Sequence, residues 1–128
     1  MNQDGKVKAL KKVIDMLVVP KVNELEPVSG FKIRSVKVGL TSYGARHNEP
    51  EFRIEVDLTK EPGLNHRACE GMSHLILNVA EYIDTDSEIK VHFSELGSDI
   101  EFHNLHATSR VFRRTNEYSI KMITGEHG

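Results

Sequence analysis

The chain has 128 residues, a single cysteine, and 17 lysines and arginines against 19 aspartates and glutamates. That length suits one domain able to bury its own core, and the lone Cys69 excludes an intramolecular disulfide. The near-even charge excludes attraction of the whole molecule to polyanions, so nucleic-acid contact would need a local basic patch. Apolar runs such as Met16–Val19 fall far short of the ~20 residues that span a bilayer. With no apolar leader after Met1 and no disulfide, the expected location is the cytoplasm.

From Asp4 to Val19 the apolar residues Val7, Leu10, Val13, Ile14, Leu17 and Val18 recur at spacings of three and four, while Lys8, Lys11, Lys12 and Asp15 fall elsewhere. The pattern predicts an amphipathic helix capped by Asn2 or Asp4, with Met16 and Val19 off the main stripe. Pro20 lacks an amide hydrogen and disfavours helical geometry at Val19, so the helix should stop or kink there.

Phe31 to Leu40 alternates with a slip in phase. Phe31 and Ile33 share one parity, whereas Val36, Val38 and Leu40 take the other, and a β-bulge near Ser35 explains it. After a polar loop, 41–50, Phe52, Ile54, Val56 and Leu58 alternate with Arg53, Glu55, Asp57 and Thr59, as in a strand with one wet face. The two strands form a hairpin. Pro62-Gly63 ends it, and Asn65 starts a second helix running to about Ile83, with the stripe Ala68, Met72, Leu75, Ile76, Val79 and Ile83. Gly71 costs that helix about 1 kcal/mol relative to alanine, which implies a backbone close by.

Ile89, Val91 and Phe93 alternate, and Ile100 and Phe102 resume the alternation after Gly97-Ser98, predicting a second hairpin. The shared parity of Tyr118, Ile120 and Met122 suggests a final strand. These elements give an α+β two-layer sandwich, order α-β-β-α-β-β with one further strand, the helices on one face of a mostly antiparallel sheet. That order matches a circularly permuted ferredoxin-like fold, a statement about architecture alone. Residues 1–124 are read as one domain and 125–128 as a loose tail.

No phosphate-cradling glycine loop, nucleophile elbow, zinc-protease helix or Cys-x-x-Cys pair occurs. Cys69, beside an apolar stripe, reads as a packed structural thiol. The loop carrying Tyr43, Arg46, His47 and Glu49 is longer than a hairpin needs and is a candidate binding surface, its plain alternative being a solvated connector. Lys32, Arg34 and Lys37, with Arg110, Arg113 and Arg114 flanking Val111-Phe112, form a candidate nucleic-acid patch, although the chain has few aromatics for base stacking. A turn at Gly97-Ser98 sets His92 opposite His103 on the wet face, with Glu101 near enough to be a third ligand for a metal. Solvated surface is the plainer account of that pair, so no metal or cofactor is expected, and His66 and His74 read as solvated. The leading expectation is a non-catalytic module that binds a protein partner, or itself as a homo-oligomer, through the open sheet face or the 41–50 loop. RNA or single-stranded DNA binding is the alternative, and a small enzyme using His47 and Glu49 the third.

Overall fold

The computed structural model describes residues 3–41, 51–59, 66–80, 83, 88–95, 98–103 and 116–125. Among these residues it is an α+β structure in which helices cover one face of a four-stranded mixed sheet. Helix α1 (Gln3–Val13) passes through a π-helical turn (Ile14–Val18) into α2 (Val19–Glu24) and α3 (Glu26–Ser29). Strands β1 (Ile33–Thr41) and β2 (Glu51–Leu58) follow, then α4 (His66–Ala80), β3 (Glu88–Glu95), β4 (Ser98–His103) and α5 (Asn116–Thr124).

The chain does not stop before Pro20. The buried residues Leu10, Ile14, Val18 and Val22 are spaced by four throughout. At about 3.6 residues per turn, eleven residues complete about three turns, and twelve overshoot the core by about 120°. One extra residue must therefore be absorbed, and the π turn absorbs it, the amide of Val19 donating to the carbonyl of Ile14. The turn also sets Pro20 in the first turn of α2, where a missing amide hydrogen costs little. Leu17, expected on the buried stripe, is rotated out to 54% exposure.

Gly30 ends α3 in the left-handed region at φ 83, its amide donating to the Glu26 carbonyl at 2.8 Å. Asn23 then ties the helices to the sheet: its Oδ1 accepts from the Ile33 amide at 2.8 Å and its Nδ2 donates to the Ile33 carbonyl at 3.4 Å.

In the sheet, β1 and β2 are antiparallel, with the register shift between Ile33 and Ser35 that the change of phase required. β2 and β3 are parallel and β3 and β4 antiparallel, in the order β1-β2-β3-β4. The unit β2-α4-β3 therefore joins two adjacent parallel strands. A permuted ferredoxin-like fold would lay β4 between those two, and the observed order does not.

Phe52, Ile54, Val56, Ile89, Val91 and Phe93 meet Leu10, Ile14, Val18, Met72 and Ile76 in one core. Each such side chain, fully buried, is worth about 1.5–3 kcal/mol. Cys69 lies in this core. Around α4 burial extends beyond the expected stripe to Gly71, Ser73 and Leu77, because α5 packs on that helix as well. The expected last strand is thus a helix. Met122 and Ile123 are adjacent and both buried, which strand alternation forbids and a helix lying against α4 permits.

Candidate functional site

The face of the sheet turned away from the helices gathers the charges. Along β2 the alternation that buries Phe52, Ile54, Val56 and Leu58 turns Arg53, Glu55 and Asp57 to the other side. Cross-strand pairing extends each into a row. Arg53 registers with Gly39 and Lys90, and Lys90 with His103; Glu55 registers with Lys37 and His92, and His92 with Glu101; Asp57 registers with Ser35 and Ser94, and Ser94 with Asp99. Positive positions thus collect at one end of the face, negative positions at the other, and a row of both signs lies between.

This face is less wet than alternation alone implies. Arg53, Glu55, Asp57 and Lys90 are half-buried, and His92 is only 9% exposed. The Arg53 Nε donates to Glu55 Oε1 at 3.1 Å, and Arg34 Nη1 lies 3.6 Å from Asp57 Oδ2. Such partly exposed pairs orient their side chains more than they stabilise the fold.

The expected His92–His103 juxtaposition is not what the register gives. Lys90 stands opposite His103 and His92 opposite Glu101, while Phe93 pairs with Ile100 and Phe102 with Val91. The pairing is shifted by two residues, which keeps every apolar residue on its own side, so the core has no preference against it. Two facing imidazoles were the basis of the metal candidate formed by His92, His103 and Glu101, and that basis is gone. Among the described residues no group of three or more histidine, cysteine, aspartate or glutamate side chains is arranged to hold a metal ion.

Of the proposed basic patch, Lys32 and Lys37 are exposed on or beside β1, and Arg34 is engaged with Asp57. Arg110, Arg113 and Arg114 lie outside the described residues, as do Tyr43, Arg46, His47 and Glu49 of the loop. His74 is not a solvated histidine. It is half-buried on α4, with Nε2 3.9 Å from Glu70 Oε1. Burial pushes its pKa below the ordinary value, and the Glu70 carboxylate opposes that shift in part.

What reasoning along the strands did not find was the grouping of Arg53, Glu55 and Asp57 with Lys37, Lys90 and His92. Their alternation was visible, but their rows depend on a β1–β2 register set across a long loop and on the parallel β2–β3 pairing. Neither is written in local sequence. Among the described residues no helix is long and apolar enough to cross a membrane. No protein-family model matches the chain, nor does any curated protein or solved structure.

Proposed function

We propose that this chain is a non-catalytic interaction module that binds a protein partner, or a second copy of itself, through the open face of its sheet. The observation that carries the reading is the half-buried set Arg53, Glu55, Asp57 and Lys90 around the buried His92, with both signs of charge ordered in rows. A surface of mixed sign suits a protein partner of complementary pattern, since charge patterning selects partners and registers more than it adds affinity. It suits a polyanion poorly, because Glu55 and Asp57 lie among the cations.

The experiment is sedimentation velocity from micromolar to millimolar concentration on the wild type and on Arg53→Glu, together with backbone amide shifts recorded across the same range. Association that the substitution weakens, with shifts on β2 and β3, supports the self-binding form. A monomer throughout removes that form and leaves the partner form. Association with all shifts on the helical layer, unaffected by Arg53→Glu, overturns the use of this face.

Nucleic-acid binding is the second reading, favoured by the exposed Lys32 and Lys37. Phosphate contact releases counterions, so titration with single- and double-stranded RNA and DNA at two salt concentrations tests it. Absence of binding at low salt removes it.

A further inference from the structure

Strand β1 forms one border of the sheet, and among the described residues no strand pairs with its outer side. Such a border offers a row of amides and carbonyls to another chain, and proteins commonly blunt it with proline, charge or a bulge. The bulge of β1 lies at its start, between Ile33 and Ser35. From Ser35 to Thr41 the strand is regular, without proline, and its only charge is Lys37.

Two features of this border select a second copy as its occupant. Val36 is buried, whereas Val38 and Leu40, on the same core side of β1, are only partly buried. The helical layer therefore stops over β1. A lone strand added here would hold its own apolar side chains beyond that layer, in water, but a second copy brings helical cover with it, since α1 packs on β1. The other feature is Gly39. A Cβ at this position would meet no atom within 4 Å, so nothing inside the chain accounts for a glycine in mid-strand, where it weakens pairing and often marks the approach of another backbone.

Symmetry and sequence then narrow the register. A twofold axis normal to the sheet sets β1 antiparallel to its copy and keeps the helices of both on one side. Parity allows only registers that place core-side residues opposite one another. Centred on Lys37, the pairing opposes lysine to lysine, which disfavours it. Centred on Gly39, it reaches only from Lys37 to Thr41. Centred on Val38, the whole of Ser35–Thr41 pairs: Val36 faces Leu40 of the second copy, Val38 faces its counterpart, and Lys37 faces Gly39 of the second copy. The two lysines stand diagonally, each in register with Glu55 of its own chain. Lys37 thus chooses the register and does not block pairing.

We propose that β1 pairs with β1 of a second copy, antiparallel about a twofold axis at Val38, joining the two four-stranded sheets into one. The contact uses the border of the sheet and not its open face, so it stands or fails independently of that reading.

The test records sedimentation velocity and amide hydrogen exchange of the full chain from micromolar to millimolar concentration. Dimerisation is expected, with every second amide between Ser35 and Thr41 gaining protection as concentration rises, since successive amides of a strand point to opposite borders. Gly39→Asp should tighten the dimer about threefold or more and Gly39→Lys loosen it about as much, because each sets a charge opposite Lys37 at two places related by the axis. Both side chains enter open space, and a tighter dimer cannot arise from misfolding. Lys37→Glu combined with Gly39→Lys should recover the strength lost in Gly39→Lys alone. Arg53→Glu should not loosen the dimer, which separates this contact from one through the open face. A synthetic peptide of Ser35–Thr41 should compete only weakly, having no helical cover. A monomer at millimolar concentration, protection elsewhere than on alternate β1 amides, or equal effects of the two Gly39 substitutions overturns the proposal. So does peptide binding as tight as dimerisation, which would assign the border to a lone strand.

Discussion

Deleting one residue from the middle of a helix normally rotates everything beyond it by about 100° and is ruinous. In this chain deletion of Met16 should leave the core in register. Leu10, Ile14, Val18 and Val22 are each at most 1% exposed, and they are held in line only because the π turn absorbs one residue. Without Met16, Leu10 and Val22 stand eleven residues apart, which is about three turns of regular α-helix, so all four still face the core. The cost falls on Pro20, which would then sit inside a continuous helix, losing a hydrogen bond and crowding the carbonyl one turn back, for about 3 kcal/mol. Adding Pro20→Ala to the deletion removes that cost, and the double variant should lie within about 1 kcal/mol of wild type. Inserting an alanine after Met16 has the opposite consequence. It turns Val22 toward water, at about 1.5–3 kcal/mol, and breaks the 2.8 Å bond from the Ile33 amide to Asn23, at about 1 kcal/mol. Urea titrations followed by circular dichroism separate the variants by midpoint at constant slope. If the deletion with Pro20→Ala is as unstable as the insertion, the account of the π turn is wrong.

Further expectations follow from single contacts. His74 resists protonation when folded, so the unfolded chain binds more protons below the ordinary pKa. Stability should be complete above that value and fall as pH drops through it toward the lowered folded pKa. His74→Gln should lose this part of the acid sensitivity, and an unchanged pH slope in the variant would contradict it. Gly30→Ala meets no atom within 4 Å, so its cost is the left-handed backbone alone, about 1–2 kcal/mol by urea titration. Asn23→Ala removes both bonds to Ile33 and should cost about 1–3 kcal/mol, with amide exchange accelerated at Ile33. The thiol of the fully buried Cys69 should react with a chromogenic disulfide reagent only as fast as the core opens.

Alternation was the most legible feature of the sequence. It located the strand cores of β1 to β4, and the parity change around Ser35 identified the bulge, because a strand with one buried face cannot hide a phase slip. Parity is blind to shifts of two, however, and for that reason the β3–β4 register came out displaced and His92 faces Glu101. In Tyr118, Ile120 and Met122 a short run of shared parity resembled a strand. The neighbouring pair Met122 and Ile123, with α4 to pack on, decides for a helix, and that choice is tertiary. The π turn was legible in principle, since a strict spacing of four over Leu10 to Val22 fits no regular α-helix. The charged rows of the sheet face were not, because they depend on which strands become neighbours.

The parallel contact between β2 and β3 has a consequence for how the molecule assembles. Each outer pair, β1 with β2 and β3 with β4, joins strands that are close in sequence, whereas Glu88 must travel back to Glu51 after a connection that leaves β2 at Leu58 and includes α4. Closing so long a loop costs chain entropy before any contact repays it. By that topology the two hairpins are expected to form first, and the docking of one on the other across the middle of the sheet to set the folding rate. Substitutions at Ile54 or Val91, which pair across that contact, should therefore act on folding speed as well as stability. Lengthening the 41–50 connection should slow folding less than a substitution at Ile54 or Val91, because loop-closure entropy grows only slowly with length.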